Sequence, residues 1–462
     1  MTVAELIEAS GGVPAAGVAA GAALVGQVVT DSRTTSPGDV FVGLKGESYD
    51  GNDFIDDAVS RGATVVVCGQ GRSLERRGVV FVEVTDTLAA LGAIAARHRR
   101  SFAGPVVAIT GSNGKTTSKE MLKSVLEEAY GSGRVSANQG NFNNLVGMPL
   151  SLLKVDGRHR AAILEMGMNA PGEIARLVEI AAPTHGLVTC VAPAHLEGLG
   201  SLEGVAQAKG ELFAGLPANA TAVVNRDDEH VLAQSARFSG RKVFFGLQGS
   251  VRAENIESGD LRHVAFELVH EQEKTKVVLA TGGRHNVGNA LGAAAVALEL
   301  GVPLAAVARG LAKAPAVPMR LAVEVLGNGV IIVNDAYNAN PASLQAAIET
   351  IGDRPGGRCL LVLGDMLELG DDAALWHARA GRAAASLQPV LLCAMGPHAR
   401  DLCGGALEAG LSEDSVAVVS DHSGAANAVA ALWKRGDTVL VKGSRGAGME
   451  RVVELLKEEA LR

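Results

Sequence analysis

Short apolar runs and longer segments of helical period alternate along this chain. Val106, Val107, Ala108, Ile109 and Thr110 form a run that predicts a short buried strand. Residues 118–130 follow with apolar side chains at Met121, Leu122, Val125, Leu126 and Ala129, the spacing of one helix face. Ahead of this pair the pattern predicts strands over 40–44, 64–68 and 79–84 and helices over 54–60 and 88–98. Beyond it, strands are expected over 161–165, 186–191 and 221–224, with a helix starting near Ser201. From 241 to 280 the pattern turns to short β segments, and 264–269 and 275–279 flanking the charged turn 271–274 predict an antiparallel hairpin. A long Ala/Leu helix follows the segment 283–289. Pro315 and Pro318 mark a linker, after which strands are expected over 330–334, 359–363, 390–394, 416–419 and 438–441 with helices between. This alternation predicts an α/β protein of mostly parallel sheets. A length of 462 residues is too great for one core, and roughly two to four domains are expected.

Composition narrows the class. Hydrophobic residues make up 47% and charged residues 20%, the balance of a soluble globular protein. Aromatic content of 3% and a net charge of −8 argue against a base-stacking or broadly basic nucleic-acid surface. A phosphorylated ligand must then be held by local devices. The five cysteines (Cys68, Cys190, Cys359, Cys393, Cys403) show no paired or zinc-type spacing, which fits a reducing cytoplasm. Residues 11–30 carry no charge; they follow Glu5 and Glu8 and hold little leucine, so loops and short strands are expected there, not a signal or membrane segment.

Candidate chemistry concentrates where strands end. Between the predicted strand at 106–110 and its helix lies Gly111-Ser112-Asn113-Gly114-Lys115-Thr116-Thr117. Glycines let backbone N–H groups turn inward, Lys115 adds a compact cation, the helix adds its positive end, and Thr116 offers a hydroxyl to Mg²⁺. The loop is shorter than the usual P-loop, whose first glycine would fall where Ile109 stands. Glu165 closes the next strand as a candidate Mg²⁺ partner, or else a helix cap or ion-pair residue. His195 lies just past another strand, where a lone histidine is more often structural than a ligand, and Lys209 sits in a helix where, on spacing alone, a lysine extending to solvent is the favoured reading. Asn286 and Asn289, three residues apart, share one helix face and suit either a base edge or a cap. The loops 31–33 (Asp31, Ser32, Arg33) and 45–51 serve equally as ligand contacts or solvated turns. Late in the chain, the clusters 335–341, 363–370 and 442–446 all follow predicted strands and are expected to line one rim. A G-x-G-x-x-G dinucleotide loop is absent, against a dehydrogenase.

These segments together resemble the Mur ligases, ATP-dependent amide-forming enzymes of bacterial cell-wall synthesis. The short T-G-x-x-G-K-T-T loop, Glu165, His195, Lys209, the His285-Asn286-x-x-Asn289 core, Arg320 and Asp335 come in that family's order. The runs 141–149, 195–198, 335–341, 363–370 and 442–450 resemble the branch that adds D-alanyl-D-alanine to UDP-N-acetylmuramoyl-tripeptide. The resemblance implies three domains: 1–103 holding the UDP substrate, 104–318 as a central P-loop ATPase, and 319–462 as a Rossmann-like lid. It implies ATP, two Mg²⁺ ions and a monomer in the cytoplasm. Lys115 would hold phosphates, Thr116, Glu165, His195 and a carbamylated Lys209 would hold Mg²⁺, Asn286 and Asn289 would meet adenine, Arg320 the γ-phosphate, and Asp335 the ribose or nearby waters. Asp31, Ser32 and Arg33 would face the uridine part, Asn143 and Asn144 the muramoyl peptide, and Tyr337, Asn338 and Ser444 D-alanyl-D-alanine. The alternatives are another Mur-type or a folylpolyglutamate-type ligase, or a P-loop ATPase switch. Against the ligase adding the third residue, no D-N-P-R stretch occurs late in the chain; against the folate enzyme, a long N-terminal region precedes the loop.

Overall fold

In the computed structural model, which describes residues 1–14, 24–46, 48–74, 76–354 and 356–461, strand Val106–Thr110 lies inside a nine-stranded sheet. All five of its residues are buried. Side chains alternate between the two faces of a strand, and here both faces are covered. Val107 and Ile109 pack with Met121, Leu122, Val125 and Leu126 of helix Lys115–Tyr130 and with helix His285–Glu299. Val106 and Ala108 pack on the other side with Ile174, Leu177, Leu212 and Phe213. A strand covered on both faces needs the continuous apolar run seen in the sequence.

The sheet order explains why ligands gather at one edge. Val106–Thr110 pairs in parallel with Ala161–Glu165 on one side and with His185–Val188 on the other. The chain therefore leaves in one direction and returns in the opposite one, opening a crevice beyond the strand ends. Thr221–Asn225, Arg241–Phe245 and the antiparallel pair Val264–His270 and Glu273–Leu279 extend the sheet.

Two smaller sheets flank this one. Strands Val28–Val29, Val40–Val42, Val65–Gly69 and Val80–Val84 are parallel, and Val13–Pro14 closes that sheet antiparallel. Of the uncharged stretch 11–30, residues 15–23 lie outside the described residues, as does Glu47. The third sheet runs Ala322–Val325, Ile331–Asp335, Thr438–Lys442, Cys359–Gly364, Leu391–Met395, Val416–Val419, parallel except for its first strand. Among the described residues no helix is long and apolar enough to cross a membrane.

Several boundaries differ from the sequence pattern for identifiable reasons. The helix after the glycine loop starts at Lys115, so Lys115, Thr116 and Thr117 form its first turn. The strand expected over 186–191 stops at Val188, because Thr189 to Ala192 turn to grip the glycine loop. Ser112 N–H donates to Cys190 O (2.8 Å) and its hydroxyl to Ala192 O (2.9 Å). Ala322–Val325 and the four-residue helix Leu196–Leu199 are too short to show a period.

Candidate active site

A cavity of about 600 Å³ opens where the crevice of the central sheet meets the strand ends of the third. Its wall includes Ser112, Asn113, Gly114, Lys115, Thr117, Asn143, Glu165, His195, Asn286, Asn289, Arg320, Asp335, Tyr337 and Asn338.

The glycine loop is shaped by close contacts. Gly111 and Gly114 have φ of +148° and +81°, and a Cβ would lie 1.9 Å from Thr189 Oγ1 at the first and 2.0 Å from Asn289 Oδ1 at the second. Only glycine fits there. Lys115 Nζ donates to Gly111 O at 2.7 Å, folding the cation back over the loop. Burial lowers its pKa, while nearby Glu165 acts in the opposite sense. Arg320 Nη2 donates to Thr116 Oγ1 (3.1 Å), its guanidinium stacks 4.3 Å from the Tyr337 ring, and its buried Nε has no partner. Two cations thus face the loop, each with donor capacity left for an anion.

Glu165 is 2% exposed. Asn143 Nδ2 donates to its Oε1 at 2.8 Å, and its Oε2 is buried without a partner. An orphaned carboxylate oxygen is costly unless a cation completes it. Among the described residues no three His, Cys, Asp or Glu gather as a metal set. One buried carboxylate with a free oxygen is a donor that would suit Mg²⁺, which uses one or two carboxylates and takes its remaining oxygens from phosphate and water. His195 Nδ1 lies 2.5 Å from Glu368 Oε2, and this contact holds the Glu368 carboxyl below the usual carboxylate range. Lys209 is buried (2% exposed) and is not on the cavity wall. Burial, and next the charge of Lys115, push its pKa well down.

On the third sheet, Asp335 and Lys442 stand opposite in register. Lys442 Nζ reaches Asp335 Oδ2 at 2.5 Å, and Leu321 N–H donates to Oδ1 at 3.1 Å. Ser444 donates to Ala339 O (3.1 Å) and accepts from Leu367 N–H (2.8 Å), so the three late clusters are laced into one rim.

The expected site residues therefore divide. Ser112, Asn113, Gly114, Lys115 and Thr117 of the loop, Glu165, His195, Asn143, both helix asparagines, Arg320, Asp335, Tyr337 and Asn338 meet at one cavity, while Gly111, Thr116, Lys209 and Ser444 stand behind its wall. Asn144 Oδ1 instead accepts from Val146 and Gly147 N–H and fixes the backbone entering helix Gly147–Leu152. Asp31 caps a 3-10 turn and pairs with Arg33 (2.7 Å), and with Ser32 they lie on the first sheet's unit, off the cavity wall. Three contributors, Lys442, Asn340 and Glu368, lay within the clusters expected on one rim but had no individual role assigned. Each acts through a partner more than a hundred residues away, and spacing along the chain carries no trace of that.

Family models match most of the chain: the Mur ligase family, catalytic domain over residues 25–99, the Mur ligase middle domain over 109–297, and the Mur ligase, glutamate ligase domain over 319–445. UDP-N-acetylmuramoyl-tripeptide--D-alanyl-D-alanine ligase of Escherichia coli (strain K12) is 38% identical over 437 residues, 93% of each chain. A crystal structure of MurF from Acinetobacter baumannii superposes with a TM-score of 0.90 at 31% identity, covering 99% of this chain and 98% of that one. MurF ligase from Thermotoga maritima, in complex with ADP, gives a TM-score of 0.82 at 30% identity over 94% of this chain and 98% of that one. On this evidence the chain belongs to the Mur ligase family.

Proposed function

We propose that the protein joins D-alanyl-D-alanine to UDP-N-acetylmuramoyl-tripeptide with ATP, in peptidoglycan precursor synthesis. The observation that carries this reading is the orphaned carboxylate oxygen of Glu165 beside Lys115, in a cavity that the third sheet helps to enclose. The names of the relatives just given support the choice of substrates.

A carboxylate does not acylate an amine at neutral pH, because oxide is a poor leaving group. Transfer of the γ-phosphoryl group to the tripeptide's terminal carboxylate forms an acyl phosphate. The amine of D-alanyl-D-alanine then attacks the carbonyl carbon, and inorganic phosphate departs as the amide forms. Lys115 and Arg320 offset the charge of two anions brought into line. Thr116, Glu165, His195 and Lys209 would hold two Mg²⁺ ions, which supply further charge neutralisation. Asn286 and Asn289 meet adenine, and Asp335, held by Lys442, serves the ribose or its waters. Asp31, Ser32 and Arg33 take the uridine part. Asn143 touches the muramoyl peptide while Asn144 fixes the backbone beside it. Tyr337 and Asn338 contact D-alanyl-D-alanine, with Ser444 holding their loop. The division into units 1–103, 104–318 and 319–462 gives each sheet one task, and the chain works as a monomer in the cytoplasm.

Lys209 functions as a carbamate in this scheme. Its neutral nitrogen attacks CO₂, an N–C bond forms, one proton leaves, and an anion replaces an amine beside Lys115. Phosphate release measured with ATP and each substrate singly and together tests the function: release should require both substrates, and brisk ATP turnover with neither would overturn it.

A further inference from the structure

The tip of the glycine loop is held from two sides. From the central sheet, Thr189 Oγ1 donates to Asn113 O at 2.5 Å. From the third sheet's unit, Asn340 makes a reciprocal amide pair with the Asn113 side chain. Asn340 Nδ2 donates to Asn113 Oδ1 at 2.8 Å, and Asn113 Nδ2 donates to Asn340 Oδ1 at 3.2 Å.

Asn340 is itself firmly placed. It is 7% exposed and caps helix Pro341–Gly352, its Oδ1 accepting from Ser343 N–H at 2.9 Å while its own N–H donates to Ser343 Oγ at 3.0 Å. The preceding residues are tied to the same sheet, Ala339 O by Ser444 and Asn338 O by Lys442. A capping asparagine needs only its oxygen for the helix. Its NH₂ is the surplus group, and it reaches the phosphate loop 227 residues earlier in the chain.

We propose that Asn340 is a positioning residue for nucleotide: by holding the Asn113 side chain from the third sheet's unit, it fixes the tip of the phosphate loop in the form that receives nucleotide. The idea rests on the ATP-using reading above.

The test measures binding of a non-hydrolysable ATP analogue with Mg²⁺ to the full chain by calorimetry, which needs no ligation. Asn340→Ser keeps the helix cap and is too short for the pair, so its urea midpoint should match the parent. It should weaken analogue binding about tenfold, the size expected for a lost pair of partly buried hydrogen bonds. In an Asn113→Ala background the same substitution should change affinity less than twofold. Affinity within twofold of the parent for Asn340→Ser alone, or losses that multiply in the double variant, would overturn the proposal. Failure of the parent chain to bind the analogue would overturn both this inference and the function it rests on.

Discussion

Lys115, on the cavity wall, and the buried Lys209 lie within electrostatic reach of each other, and the charge of Lys115, after burial itself, pushes the Lys209 pKa down. Lys115 has Glu165 to favour its charge, whereas the named influences on Lys209 are led by burial and Lys115, both unfavourable. A neutral lysine is the form that takes up CO₂, and the carbamate proposed above would turn a repulsion into an attraction. Lys209→Ala should therefore lose nearly all ligation, a fall of about a hundredfold or more for a group stabilising transition-state charge, and short carboxylic acids should partly restore it in steady-state assays. Full activity without additive would contradict the carbamate. At this scale the sequence showed the loop residues and Glu165, because each directly ends a recognisable strand. By spacing alone Lys209 looked like an ordinary helix lysine, and only the family resemblance singled it out, since burial depends on packing that no local pattern reveals.

Elements carry the site because their ends are tied together. Asn138, just beyond strand Val135–Ala137 and 2% exposed, accepts from Glu165 N–H (2.9 Å) and donates to Glu165 O (3.0 Å) and Phe142 O (2.8 Å). Its side-chain amide thus imitates one more rung of the ladder and fixes the strand end that bears the carboxylate. Asn138→Ala would leave the Glu165 N–H buried and unpaired, costing about 1–3 kcal/mol. Urea unfolding should show this as a lower midpoint, and an unchanged midpoint would contradict the assignment. The strands at 106–110, 161–165 and 416–419 matched the apolar pattern to the residue. The expected strand end at 191 failed because apolar Val191 and Ala192 serve a turn, where Val191 N–H bonds Asp228 and Ala192 N–H bonds Ser112. Hydrophobicity registers burial, and a buried turn resembles a strand.

Across the whole molecule, the central and third sheets' units meet at contacts that neither of them contains alone. Thr116 with Arg320, Asn113 with Asn340, and His195 with Glu368 each join the central unit to the third. The alternation of strands and helices foretold separate α/β units, but how they dock is set by pairs like these, far apart in the chain and invisible to periodicity. Such an enclosure suits a reaction whose intermediate water would destroy. The central claim is that phosphate passes to the tripeptide carboxylate before the amide forms. Labelling that carboxylate with ¹⁸O and analysing the released phosphate by mass spectrometry tests this most directly. One ¹⁸O atom should appear in the phosphate from each turnover in which a labelled oxygen leaves; phosphate carrying only oxygen from ATP and solvent would contradict the account.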